Sequence, residues 1–340
     1  MHNRFGVMAN FSSGTLKGKS ALALFFGCYL IFCAACSRPQ QAAQEASLPP
    51  IQYLGEWGIA GTEPGQFQNP QTLAVDSAGN VFVGDARDET TVEKFDETGH
   101  PLLSFVAGGT RDNWDLAIDP GQAIFVVDPR GELVQIFTPE GEHFRTLHLR
   151  YRRWFRSPAS IAMESEGNFF LADMGTGVVA NLNSQGHLLA SWGKPAGLPA
   201  AHWVPCRIRL GLDGNLYIAD VENQKVVKVT SDGRYLTEWD FPFSALAEGK
   251  YPQKAYGLAV WQTHVVTSDE GKRLIQIWTL DGALEETLDL SQHAEWGERA
   301  TATDVAFTPK GELLVLDRGD ARVLRFRLNI PPTTPSAPSH

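Results

Sequence analysis

Beyond its first 36 residues the chain has one cysteine, Cys206, the other three being Cys28, Cys33 and Cys36. No disulfide can staple the body of the protein, so its stability has to come from packing. Positive charge is sparse too: 29 Lys and Arg face 39 Asp and Glu. Residues 1–35 hold three of the basic side chains, Arg4, Lys17 and Lys19, and no acidic one. The remainder of the chain therefore has 26 basic against 39 acidic residues, a net charge of −13. A chain this acidic is a poor general nucleic-acid binder, which needs basic surface to neutralise phosphates. Long apolar runs are missing as well. The longest, Ala21–Ala35, has fifteen residues, too few to cross a bilayer as a helix, which takes ~20. There is no Gly-x-Ser-x-Gly nucleophile elbow. The apolar segments of the body run four to six residues between Gly and Asp, which excludes amphipathic helices and indicates strands.

What is present is a repeat. A Gly-led turn, a short apolar run ending in aspartate, a polar loop, a second strand and another Gly turn recur six times between Leu73 and Leu328. The aspartates are Asp85, Asp128, Asp173, Asp220, Asp269 and Asp317, 43 to 49 residues apart, and Gly99, Gly141, Gly186, Gly233 and Gly282 follow the first five by 13 or 14 residues. A period in the forties with four strands per unit predicts an all-β, six-bladed β-propeller with antiparallel blades over residues 51–329. In blade 1 the expected strands are Gln71–Asp76, Asn80–Asp85, Thr91–Asp96 and Pro101–Val106. The second strands, such as Phe169–Asp173 and Leu313–Asp317, are apolar on both faces, as strands sandwiched between neighbouring sheets must be. The sixth repeat stops after three strands. Ile51–Gly58 matches the outer strand Leu188–Gly193 and is expected to supply the fourth, burying Tyr53 and Trp57 and leaving no open blade edge.

Residues 1–35 read as an export signal: basic residues, a short apolar run, then small residues. The junction Cys33-Ala34-Ala35-Cys36 resembles the bacterial lipobox, although Cys33 stands where leucine is preferred. The resemblance implies lipidation of Cys36 and a cell-envelope location, with the outer membrane indicated by Ser37 in place of aspartate. Ordinary signal-peptidase cleavage after Ala35 is the rival reading. Residues 36–50, rich in Gln, Ala, Ser and Pro, would form a tether, and 330–340, with four prolines, a disordered tail.

The repeat unit is similar to that of NHL-repeat propellers. The residues that carry the likeness are Asn69-Pro-Gln-Thr-Leu-Ala-Val-Asp76, Gly214-Asn-Leu-Tyr-Ile-Ala-Asp220, Asn223-Gln-Lys-Val226 and Lys94-Phe-Asp-Glu-Thr-Gly99. Blade 5 departs most, with Trp261-Gln-Thr-His264 at the turn. The architecture hosts binding modules and enzymes alike, so the resemblance implies a fold rather than an activity. Amidating lyases of this type hold zinc through histidines, one of them in Pro-His-Gly. The matching positions here are Gln71, Trp114, Ala159, Cys206, Tyr256 and Thr303, none a histidine. Gluconolactonase-like propellers hold a calcium-like ion at the pore, where this chain offers Asp115 and Asp304 with Arg207 between them in sequence. A salt bridge across the pore is the competing reading.

The six repeated aspartates are expected to be structural, accepting backbone N–H bonds from the loop after each. One segment breaks both the repeat and the charge trend: Arg145-Thr-Leu-His-Leu-Arg150-Tyr-Arg152-Arg153-Trp154-Phe-Arg156. Arginine with Trp and Tyr is hot-spot composition. These observations favour a membrane-anchored scaffold that binds a protein or anionic envelope polymer around Gln71, Trp114, Asp115, Arg150, Arg152, Arg153, Trp154, Arg156, Arg207, Tyr256 and Asp304. No motif calls for a cofactor, and the alternative is a metal-dependent propeller enzyme.

Overall fold

The computed structural model describes residues 48–87, 89–108, 115–149, 155–241, 256–293 and 296–330. These residues form six four-stranded antiparallel sheets. The first is Pro70–Val75, Val81–Ala86, Thr90–Phe95 and Pro101–Val106, each strand hydrogen-bonded to the next in chain order. Four further blades repeat this meander. Their innermost strands are Asp115–Ile118, Pro158–Met163, Pro205–Leu210 and Tyr256–Trp261. Innermost strands neighbour one another around a ring, the sixth being Asp304–Phe307. No described helix is long and apolar enough to cross a membrane.

The apolar second strands explain the assembly. Val81–Ala86, Ile124–Asp128, Phe169–Asp173 and His264–Asp269 are buried at every position. The core is accordingly divided among the gaps between blades. One cluster joins blade 6 to blade 1 through Leu314, Leu316 and Val323 against Leu73, Val83 and Phe95. Another joins blades 3 and 4 through Phe170 and Val179 against Ile208, Ile218 and Val227. At about 25 cal/mol per Å² of apolar surface, these gaps supply most of the stabilisation, and no blade can bury its faces alone.

The ring closes as the truncated sixth repeat requires. Ile51–Trp57 pairs antiparallel with Arg322–Leu328, Ile51 opposite Leu328 and Trp57 opposite Val323. The turn glycines account for the role of Trp57. Gly99 has φ +89°, and a Cβ there would lie 2.3 Å from the Trp57 ring, as one on Gly233 would lie 2.5 Å from Trp192 and one on Gly282 2.5 Å from Trp239. A large side chain of one blade's outer strand thus covers the outer turn of the next, and Trp57 does this for blade 1 although it stands at the other end of the chain from its sheet. Tyr53 differs from expectation. It remains 40% exposed because the closing strand is an outermost one, although its ring still meets Trp296 and Phe326.

Trp57→Ala is expected to lower unfolding free energy by about 2–4 kcal/mol, as a large aromatic removed from a partly buried site. Deleting 51–58 should lower the melting temperature further by exposing the edge of Arg322–Leu328, whereas trimming 37–46 should leave it unchanged. Melting followed by circular dichroism checks all three, and a 51–58 deletion that melts like the intact protein would contradict the closure.

Candidate functional site

Aligning the innermost strands residue by residue defines the site. The column Thr72, Asp115, Ser160, Arg207, Gly257 and Asp304 places one residue from each blade at equivalent register, opposite Gly84, Val127, Ala172, Ala219, Ser268 and Leu316. Three of these strands reach that register through a bulge, whose extra residues are Gln71, Ala159 and Cys206. Burial pushes the Cys206 thiol up to about 12, which leaves it unreactive as a nucleophile.

The ring side chains converge on the axis. Asp115 Oδ2 accepts from Ser160 Oγ at 2.6 Å and Ile161 N at 3.2 Å, and Oδ1 from Leu116 N at 3.1 Å. Asp304 Oδ1 accepts from Val305 N at 2.9 Å, and Oδ2 from Leu73 N at 3.1 Å. Thr72 Oγ1 stands between the carboxylates, 2.9 Å from Asp304 and 3.2 Å from Asp115. From the far side Arg207 reaches across. Its Nη1 is 2.8 Å from Asp115 Oδ1, within full charge attraction though off the hydrogen-bond line, its Nη2 is 3.7 Å from Asp304, and its Nε donates to the carbonyl of Tyr256 at 2.9 Å.

A second arginine completes the group. Arg209 Nη1 donates to Asp115 Oδ2 at 3.0 Å and also lies near Ser160 Oγ and the Ile208 carbonyl. Two anions therefore meet two cations, and the cluster is neutral as buried charge must be. The carboxylates respond differently. Burial alone would raise Asp115, but Arg209 and Arg207 beside it hold its carboxyl well below the usual carboxylate range. Burial raises Asp304, and the arginines only partly offset this.

Of the residues singled out from sequence, Asp115, Arg207 and Asp304 come together, with Tyr256 contributing its carbonyl and Gln71 half-buried beside the ring. Arg156 is exposed on the loop face, where the chain enters blade 3, and is not part of the ring. Cys36, Trp114, Arg150, Arg152, Arg153 and Trp154 lie outside the described residues. Arg209 is the participant that sequence reasoning missed. Its signal was available: the column two residues beyond the ring reads Ala74, Ala117, Ala162, Arg209, Ala259 and Ala306.

The repeated aspartates do more than cap the loop after each of them. Asp173 accepts from Thr176 N in that loop and from Arg156 N and Ser157 N in the segment entering the blade, all at 2.8 Å. Asp220 does the same with Asn223 N and Val204 N, and Asp317 with Asp320 N and Thr301 N. Each such carboxylate ties an inter-blade loop to the loop beside it.

A metal centre does not fit the axis. The position between Asp115 and Asp304 is taken by the Arg207 guanidinium, and a second cationic side chain adjoins it. Among the described residues no His, Cys, Asp and Glu side chains group in threes to hold an ion.

No family model matches the chain, and no curated protein matches it. Among solved structures it is similar to a streptogramin B lyase, with 14% identity over 82% of this chain and 98% of that one at a TM-score of 0.57. It is also similar to a catalytically inactive virginiamycin B lyase from Staphylococcus aureus with quinupristin, at 14% identity, 82% and 99% coverage and TM-score 0.56. The β-propeller domain of Cps50 (Swd1) from Myceliophteria thermophila matches at 10% identity, 82% and 100% coverage and TM-score 0.55. At these identities the likeness shows the propeller fold.

The opposite pKa shifts give the two carboxylates opposite pH signatures. Asp115, depressed in the fold, adds stability that is present above its unfolded value of ~3.9 and lost as pH falls toward its folded one. Asp304, raised in the fold, contributes most below ~3.9, and that contribution declines as pH rises through its folded value. Asp115→Asn is expected to cost about 3–5 kcal/mol at pH 7, the loss for breaking a buried pair, and as much at pH 5. Asp304→Asn should cost less at pH 7, with the wild-type lead over it growing as pH falls toward ~3.9. Denaturant unfolding over this pH range measures this, and equal costs for the two variants at pH 7 would count against the asymmetry.

Proposed function

We propose that this chain is a lipid-anchored propeller that docks a protein or an anionic envelope polymer on its loop face and carries out no chemistry at its axis. The observation that supports this best is the neutral cluster of Asp115, Asp304, Arg207 and Arg209. Every charged group in the ring is engaged with another, so the axis offers neither an uncommitted carboxylate as a general base nor an anionic cradle for an ion. Recognition then falls to the surrounding loops. There Arg156 stands exposed while Asp173 fixes its backbone, which holds the end of the Arg145–Arg156 segment in place without engaging the guanidinium. A basic, aromatic stretch on an otherwise acidic protein suits an acidic partner, and exposed charge of this kind speeds encounter more than it deepens affinity.

Anchoring is proposed on the Ala34-Ala35-Cys36 junction, and the NHL-like character of the repeat on the motifs of blades 1 and 4. The alternative, a metal-dependent lyase or lactonase, has the fold of the streptogramin-type lyases in its favour, but Arg207 fills the place between the axial carboxylates Asp115 and Asp304.

A photo-crosslinking residue at position 156, followed by mass spectrometry from whole cells, should identify one recurrent envelope partner. With that partner purified, replacing Arg150, Arg152, Arg153 and Arg156 by Ala should slow association about tenfold and flatten its salt dependence, while Trp154→Ala should chiefly speed dissociation. Cys36→Ser should release the protein from the membrane fraction. Unchanged association by a correctly folded quadruple variant would refute the docking site, and an unmodified Cys36 N-terminus by intact mass would refute the anchor.

A further inference from the structure

On the side of the ring opposite the loop face, the second halves of the innermost strands surround an open cavity of about 230 Å³. It has room for roughly eight waters at ~30 Å³ each, less than the ~300 Å³ at which pockets for drug-sized ligands begin. Its lining side chains are mostly apolar, although more than half of the surface they leave exposed is polar. The alanine column supplies Ala74, Ala117, Ala162, Ala259 and Ala306, and the space exists because these side chains are small. Trp261 and Phe307 form an aromatic wall, stacked with ring centroids 5.9 Å apart and planes at 25°. Among the described residues, Arg209 is the sole charged side chain lining the cavity.

Arg209 faces two ways. Its Nη1 is occupied by Asp115, Ser160 and the Ile208 carbonyl, and Nη2 reaches Asp115 Oδ1 only at 3.4 Å. Nε has no acceptor among the described residues, and 19% of the side chain remains accessible. The Nε and Nη2 edge of a guanidinium is a planar fork matched to the two oxygens of a carboxylate. Carboxylates near the cavity mouth do not compete for it, being turned into their own hairpins. Asp76 accepts from Ala78 N and Asn80 N, and Asp119 from Ala123 N.

We propose that this cavity binds a small monocarboxylate with a flat apolar body, its carboxylate on Arg209 and its body between the alanine walls and the Trp261–Phe307 pair. The site is separate from the loop face and does not depend on the docking function. The acidic hairpins around the mouth disfavour ligands with a second negative charge.

Benzoate is a suitable probe, added to the full mature protein and followed by calorimetry and by the resonance of the Trp261 indole N–H. Binding at one site with Kd below about 1 mM is expected, with benzyl alcohol and benzylammonium at least about tenfold weaker. Ala306→Leu fills the cavity without touching the ion pairs and should abolish binding while preserving the fold. Ala117→Leu repeats the test from another wall should the first variant fold poorly. Arg209→Lys keeps the charge beside Asp115 but removes the fork, and should weaken benzoate about tenfold. No binding at about 10 mM benzoate, binding that survives a filled cavity, or equal binding of benzylammonium would each overturn the proposal.

Discussion

The innermost strand of each blade has a hydrogen-bonded neighbour on one side only, and its other edge of N–H groups faces the axis, where six such edges converge. Buried donors of this kind must be satisfied. Here Leu73 and Val305 donate to Asp304, Leu116 and Ile161 to Asp115, and Ile208 to Ser160. Two of the three acceptors are anions, and buried anions require cations, which accounts for Arg207 and in turn Arg209. Blade 5 makes room for this arrangement by contributing Gly257. A Cβ there would come within 2.4 Å of Ser268 Oγ and 2.8 Å of the Val305 nitrogen, so any larger residue would force blades 5 and 6 apart. The composition of the ring follows from edge donors that a closed propeller cannot avoid.

Strand positions were legible because alternation, turn glycines and the aspartate period all report local geometry. The expected Pro101–Val106 and Phe169–Asp173 coincide with the observed strands, and others shift by one or two residues at their ends. The sixth blade could be completed from the N-terminus because a missing strand and a surplus one stood at opposite ends of one repeat. Contacts between blades were less legible. Asp115, Arg207 and Asp304 could be suspected from their common position, but Arg209 required reading the alanine column down all six blades rather than along one. The double role of Asp173, Asp220 and Asp317 was half seen: the loop after each lies next in sequence, while the preceding one is 16 or 17 residues away and becomes a neighbour only when the sheet forms.

The two ends of the channel differ in chemistry although one repeat builds both. Toward the loop face the ring is polar, largely buried and self-neutralised, so variation between blades there serves cohesion. Toward the hairpins the same strands present alanine, and the exception, Arg209, links the halves by giving one end of its guanidinium to Asp115 and leaving the other to the cavity. A perturbation at either end can reach the other through that single planar group.

The pairing of Ile51–Trp57 with Arg322–Leu328 also orders events in time. The strand that completes blade 6 is made first, and its partner last, after nearly the whole propeller has been synthesised. Through that interval its edge is unpaired, and no local contact can substitute, because Trp57 fits over Gly99 only once blades 6 and 1 are adjacent. Contacts of such sequence separation form slowly and late. A chain emerging N-terminus first therefore carries an open, β-prone segment until its final residues arrive, the condition under which edge strands recruit wrong partners. Ring closure ties the integrity of the first blade to completion of the last, so a chain cut short before Arg322 lacks the partner strand on which that closure depends.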